Sequence, residues 1–367
     1  MRLNQGLPIK WQGARRISTH LLARGLDPPP MKRANPLLFT LFFLLSACQQ
    51  PTETLLTGDT QGTTWHLKMV LDGTSATPEE IGTAVAALFR RIDERLSNWR
   101  GDSELARFNL QQTTEWQDVS PEIVLLTSIA RQIHDKSEGC YDPTIQPLSE
   151  LWGFAHDDQR VPAPAEIQAV LTHIGMDKLE IDASQGRLRK RDPELRLTLD
   201  SIAQGYTIGA MAQILEDRGI HNYLAEIGGE MKVKGHKANG SAWRVAVEKP
   251  KPMIREVERI LELQQEAGIA VMTSGTYRNY FEADGQTYSH IIDPRTGMPV
   301  NHRLLSTTVL HEDPTLADAW STALLCVGET EGLRIAEAEG LRTLFIYQDG
   351  DQLKEALSPA FAKYLEP

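Results

Sequence analysis

From Thr63 to Leu357 the chain switches between two hydrophobic periods without the strict strand–helix–strand rhythm that builds a parallel sheet. In "GTTWHLKMVL" the apolar Trp65, Leu67 and Met69 alternate with His66 and Lys68, the period of a half-buried strand. The next segment, "PEEIGTAVAALFRRIDERLS" from Pro78, spaces Ile81, Val85, Leu88, Phe89, Ile92 and Leu96 as a helix does. A second helix is expected over "SPEIVLLTSIARQIHDKSEG", with Ser120 as N-cap, Pro121 at the first helical position and Gly139 as the stop. Between about Lys178 and Leu199 the pattern becomes strand-like, with a hairpin signal at Ser184 to Gly186. Further strands are expected in "HNYLAEIGGEMKVKG", "WRVAVEKP", "GIAVMTSG", "TYSHIIDP", "LSTTVLH" and "LRTLFIYQDG". Helices mixed with antiparallel-looking hairpins predict an α+β fold, with mixed or antiparallel sheets and packed helices. No repeat or internal linker divides it, so residues 58–360 are expected to form one domain.

What precedes that domain reads differently. The one long apolar run, Pro36 to Ala47, is about a dozen residues and falls short of the ~20 that span a bilayer. Lys32 and Arg33 precede it, and Leu45, Ser46, Ala47 and Cys48 close it as a bacterial lipoprotein cleavage box. Residues 1–47 are therefore expected to be an upstream extension plus a signal peptide, with Cys48 lipidated and residues 48–57 a polar tether. A complete signal peptide can begin at Met31, which suggests a start site placed too early. The expected location is the periplasmic side of a bacterial membrane, held by lipid. The inner membrane is expected, with the outer as alternative: Gln49 is not the aspartate that accompanies inner-membrane retention in enteric bacteria, but that rule varies between lineages.

Removing residues 1–47 removes seven of 38 basic and one of 49 acidic side chains, leaving 31 against 48 and a net charge of about −17. Such a surface argues against nucleic acid as a partner, and an anionic substrate would need local donors or a metal. Of three cysteines, Cys140 and Cys326 have no CxxC or zinc spacing. Two separate buried thiols are expected, although export permits a disulfide.

The common phosphate cradles and the GxSxG and HExxH motifs are absent. Three other constellations remain. In "LADAWSTALLCVG" Asp318 and Thr322 stand four apart on one helix face with Ser321 beside them, a hard oxygen set suited to Mg²⁺; an aspartate there equally serves as a helix cap. In "LTLDSIAQGYTIGAMAQILEDRG" a strand is expected to end at Leu199, and Ser201 with Gln204 fits a capping box. That helix start either packs or faces an anion, and Gly205 permits close approach to its first turn. In "TSGTYRNYF" and "HIIDPRTG" Ser274 supplies a hydroxyl, Arg278 a cation and His290 a base of ordinary pKa near ~6.5, followed by Asp293, Arg295 and Thr296.

Together with "LSNWRGDSELARFN", "YDPTIQPLSELWGF" and "EIGGE", these segments resemble the ApbE-type FAD:protein FMN transferases, over roughly Thr57 to Leu357. The resemblance implies a Mg²⁺ held by Asp318 and Thr322, with Ser321 near it and the backbone carbonyl of Ser201 completing the protein share. It implies FAD contacts from Gln61, Trp99, Cys140, Tyr141, Asp142, Gln204, His290 and Ile291, to which Ser274 and Arg278 are added from their chemistry. The family often has aspartate where this chain has Thr198, and Asp200 is two residues out of register to replace it.

The implied reaction moves the FMN half of FAD onto a threonine or serine hydroxyl of an acceptor protein and releases AMP. His290 is the expected general base and Asp293 its orienting partner. The implied acceptors are flavin-bearing subunits of respiratory complexes such as sodium-pumping NADH:quinone reductase or Rnf. Two alternatives stand beside it: hydrolysis of FAD to FMN and AMP, with the same metal and water in place of the hydroxyl, and a non-catalytic periplasmic flavin carrier, which needs the FAD contacts but no metal site, so that Asp318 and Thr322 argue against it.

Overall fold

The computed structural model describes residues 52–155, 158–250, 257–263 and 265–365, all within one compact unit. The signal peptide and Cys48 lie outside the described residues.

Along the chain, β1 (Glu53–Thr60) and β2 (Thr63–Val70) lead into α1 (Pro78–Leu96) and α2 (Glu104–Leu110). Next come β3 (Trp116–Asp118), α3 (Pro121–Lys136), α4 (Gln146–Leu151) and α5 (Pro164–Leu171), then the ribbon β4 (Leu179–Asp182) and β5 (Arg187–Lys190). A central helix α6 (Asp200–Glu216) is followed by β6 (Tyr223–Ile227), β7 (Glu230–Gly235), β8 (Trp243–Glu248), β9 (Val257–Leu263) and β10 (Gln265–Gly275). Short strands β11 (Tyr280–Ala283), β12 (Gln286–Ser289), β13 (Ile292–Asp293) and β14 (Met298–Pro299) precede β15 (Leu304–His311). The chain closes with α7 (Pro314–Val327), α8 (Glu329–Ala338), β16 (Arg342–Asp349), β17 (Gln352–Leu357) and α9 (Pro359–Tyr364).

Among the described residues eight strands form one antiparallel sheet in the order β1-β2-β6-β7-β10-β15-β16-β17. Its central strands are buried on both faces, which is why their sequences read as apolar runs. Ala270, Met272, Val309 and Phe345 face the main core, whereas Val271, Leu310, Leu344 and Ile346 face a second core. Helices α1, α3, α6 and α7 fill the main core; the β8–β9 ribbon and Phe361 of α9 cover the other face. A third cluster, Leu148, Trp152, Phe154, Ile167, Ile174 and Ile292, anchors the segment around His290. The α+β fold is thus a single domain of helices packed on an antiparallel sheet.

Several local expectations need correction. Residues 53–57, expected in the tether, belong to the domain instead, because "ETLLTGDT" pairs with β2 along its whole length as an edge strand. Residues 195–199 are not a strand, and Leu199 occupies the N-cap of α6. Ser201 and Gln204 form no capping box there. Ser201 Oγ donates to the Tyr141 hydroxyl (3.0 Å) and Gln204 Nε2 to the Ile227 carbonyl (2.6 Å). Ser120 does cap α3 by position, but its side chain makes no capping bond.

Candidate active site

The site begins with a glycine. At Gly205, in the second turn of α6, a Cβ would sit 2.3 Å from the Pro314 carbonyl oxygen and 2.6 Å from Asp318 Cβ. Having none, it lets α6 and α7 meet backbone to side chain, and Gly205 N–H donates to Asp318 Oδ2 at 2.7 Å. Asp318 is not a cap; Asp313 caps α7 by accepting from Thr315 N at 2.8 Å. The periodicity that puts Asp318 and Thr322 on one face aims both into a cavity of about 440 Å³.

At the end of β10, Ser274 Oγ lies 3.0 Å from Thr322 Oγ1 and 2.7 Å from Ser321 Oγ. Ser321 itself is fully buried, donates to the Asp318 carbonyl at 2.8 Å and does not line the cavity. It holds Ser274 from behind. Burial pushes the Asp318 carboxyl up to about 7. Glu230, at the start of β7, lines the same cavity and is raised well above the usual carboxylate range by burial and then by the charge of Asp318. Two carboxyl groups that cannot both ionise comfortably, flanked by hydroxyls, form an oxygen donor set that fits a hard divalent cation.

His290, which also lines the cavity, has its Nδ1 2.9 Å from the Asn279 carbonyl, to which it donates. That bond leaves Nε2 as the accepting nitrogen of the neutral ring. Burial lowers the His290 pKa below 6.5, opposed by the Asn279 bond. Phe154 packs edge-on to the ring with centroids 6.4 Å apart. Asp293 does not orient it: the Asp293 carboxylate is engaged by Arg295, with Nε at 2.9 Å and Nη2 at 2.8 Å, and does not line the cavity. The strand end at "HIIDPRTG" is a turn that closes on itself, with Gly297 N–H donating to the Asp293 carbonyl at 2.8 Å.

Trp99, Cys140, Tyr141, Asp142, Gln204, Ser274, Arg278 and Ile291 all line the cavity with His290, Ser201, Asp318 and Thr322. Gln61 does not; it sits in the β1–β2 turn and donates to Thr207 Oγ1 at 2.8 Å. Burial raises Asp142, which accepts from Thr144 N (2.8 Å) and Oγ1 (2.6 Å). Burial likewise raises the Tyr141 hydroxyl.

The model of the ApbE family matches residues 61–345, which include every cavity-lining element from Asn98 to Cys326. The chain belongs to the ApbE family. Among ApbE relatives, the FAD:protein FMN transferase of Vibrio cholerae is 38% identical over 325 residues, covering 88% of this chain and 96% of that protein. The solved flavin transferase ApbE from Vibrio cholerae superposes with a TM-score of 0.78 at 36% identity, covering 85% of this chain and 99% of the other. The apo form of the Pseudomonas stutzeri flavinyl transferase ApbE gives 0.78 at 35% identity, covering 86% and 97%.

Two features of this ApbE site were not anticipated. Cys140 and Cys326 are not separate thiols but a disulfide, with Cα atoms 5.9 Å apart, and both line the cavity. It joins the segment after α3 to the C-terminal turn of α7. Asp293 lies near the two sulfurs, yet the disulfide leaves no thiolate there to bind a metal. The second is Glu230, part of the quoted "EIGGE" but given no role. The signal was an acid directly after a Gly–Gly turn, where Gly228 and Gly229 have φ of +61° and +101°.

Proposed function

We propose that this chain transfers FMN from FAD to a threonine or serine hydroxyl of an acceptor protein, with release of AMP. The observation that carries the reading is the meeting, in one cavity, of the Asp318, Thr322 and Ser274 oxygen cluster with a histidine whose Nε2 is left to accept a proton. The acceptor oxygen attacks the FMN-side phosphorus, the bridging P–O bond breaks, and the bond's electrons leave with AMP. The hydroxyl proton passes to His290 Nε2. Among the described residues the lining includes four carboxyl groups, Asp142, Asp200, Glu230 and Asp318, against one guanidinium, Arg278, a balance that favours entry of an anionic pyrophosphate together with a cation. Asp318, Thr322 and the Ser201 carbonyl would hold Mg²⁺, whose charge would offset the negative charge on the pyrophosphate. Trp99, 71% exposed at the rim, offers an aromatic face to the flavin or adenine ring.

The proposed acceptors are flavin-bearing subunits of respiratory complexes of the sodium-pumping NADH:quinone reductase or Rnf type. No helix among the described residues is long and apolar enough to cross a membrane. Cys48 is proposed to carry the lipid that holds the domain at the periplasmic face. Mass spectrometry of a flavin-free acceptor subunit after incubation with FAD and Mg²⁺ tests the reading. Covalent FMN on a threonine or serine supports it, whereas free FMN and AMP with unmodified acceptor would make the chain a hydrolase.

A further inference from the structure

We propose that the Tyr141 hydroxyl is a catalytic hydrogen-bond donor, giving its O–H to an oxygen of the FAD pyrophosphate on which charge grows as the bridging bond breaks. This deepens the transferase reading and rests on its cleavage step. In "SEGCYDPT" Tyr141 and both its neighbours are tied down. Its own N–H donates to Ser137 Oγ at 3.1 Å, Cys140 before it is cross-linked to Cys326, and Asp142 after it accepts from Thr144 N and Oγ1. The ring belongs to the main core and the residue is only 3% exposed, yet it lines the cavity. A segment fixed in this way presents the phenol oxygen without reorganisation, the condition under which a donor acts on a transition state.

The use of its hydrogen follows from Ser201. Ser201 Oγ donates to the Tyr141 oxygen at 3.0 Å, which engages a lone pair there and leaves the Tyr141 hydrogen for another acceptor. Among the described residues no hydrogen bond uses that hydrogen. A tyrosine keeps its proton up to ~pH 10, so at neutral pH the group donates without a change of charge. Three other donors of the lining already have protein partners: Gln204 Nε2 the Ile227 carbonyl (2.6 Å), Arg278 Nη2 the Glu248 carboxylate (2.6 Å), and Ser274 Oγ the Ser321 and Thr322 hydroxyls. The phenol stands against the side chain of Ser201, whose carbonyl is a proposed ligand of the cation, so a pyrophosphate held by that cation comes within its reach. An anion set among carboxyl groups gains most from a fixed donor aimed at it. The O–H keeps its proton throughout: the electrons of the bridging bond leave on the AMP phosphate, and the acceptor's proton goes to His290.

The test compares Tyr141→Phe with Ser201→Ala. The probe is FAD with Mg²⁺ and the flavin-free flavin-bearing subunit of a sodium-pumping NADH:quinone reductase. Both variants remove the bond between the two hydroxyls, but only Tyr141→Phe removes the donor, and it keeps the ring in the core. Ser201→Ala keeps both the phenol and the main-chain carbonyl. The expected result is single-turnover AMP release slowed ~10² to 10³-fold in Tyr141→Phe at saturating FAD, the usual effect of losing one such donor, and at least about ten-fold more than in Ser201→Ala. Mg²⁺ affinity by calorimetry should match the parent in Tyr141→Phe. Equal losses in the two variants would make the bond between them the cause and overturn the proposal. A raised KM for FAD with parental kcat would overturn it as well, leaving Tyr141 a binding contact, and so would weakened Mg²⁺ binding that accounts for the slower rate. A parent enzyme that releases AMP while the subunit stays unmodified would overturn the transferase reading alone, because AMP release still reports what Tyr141 does to the cleavage. No AMP release by the parent would overturn both.

Discussion

Gly205 gives its backbone N–H to Asp318 Oδ2 at 2.7 Å, and the two residues meet because neither helix has a side chain between them. The relationship explains why an unremarkable helix start and an aspartate 113 residues later act as one unit. It also makes the glycine a sharper probe than the acid. Gly205→Ala should improve helix propensity by ~1 kcal/mol, yet its methyl would press on the Pro314 carbonyl and Asp318 Cβ. Overpacking of this kind costs about 1–3 kcal/mol, so denaturant unfolding should show net loss of stability. FMN transfer should fall further than stability, because Asp318 is displaced; a variant with parental transfer would separate the helix contact from the site.

Asp318→Asn keeps an oxygen to accept from Gly205 while removing the charge. The metal-free protein should be as stable as the parent or more so, since a buried carboxylate is costly when unpaired. Calorimetric titration should show Mg²⁺ binding abolished. Asp318→Ala should in addition leave the Gly205 N–H without its partner, at about 1–3 kcal/mol. If both variants bind Mg²⁺ as the parent does, Asp318 is a structural acceptor only.

Much of this architecture was legible because it depends on period. The Ile81 to Leu96 face, the β4–β5 hairpin and the Asp318–Thr322 pairing are set by neighbours three, four or two residues away. What escaped was set at long range. "ETLLTGDT" carries few apolar residues, and only β2 beside it makes it a strand. Cys140 and Cys326 are 186 residues apart, and no spacing announces that α7 ends against the segment after α3. Asp293 looked like a partner for His290 because they are three residues apart, but Arg295 is nearer in space and carries a full charge. Glu230 was visible as a letter and became part of the site only when β7 was placed beside β10.

The disulfide carries a prediction of its own. Cys140→Ser with Cys326→Ser should lower unfolding free energy by about 2–4 kcal/mol, the usual effect of losing a native cross-link. Both sulfurs line the cavity, so FAD affinity should fall as the Cys140–Asp142 segment gains freedom from α7. Treating the parent with reductant under native conditions should reproduce the affinity change. Parental FAD affinity in both experiments would confine the cross-link to stability.

His290 supplies the prediction in which direction matters most. Its Nδ1 is committed to the Asn279 carbonyl, so the proton taken from an acceptor hydroxyl must arrive at Nε2, and only the neutral ring can take it. Burial holds the pKa below 6.5, so the ring is already neutral at pH 7. The acceptor-dependent rate should therefore climb with pH only on the acid side of 6.5 and be flat through neutrality. His290→Ala should slow single-turnover transfer by ~10² to 10⁴-fold at saturating FAD and erase that acid limb, with FAD affinity little changed. A limb that persists in the variant belongs to another group. Weakened FAD binding with normal transfer at saturation would make His290 a flavin contact whose bond to Asn279 serves only to place the ring.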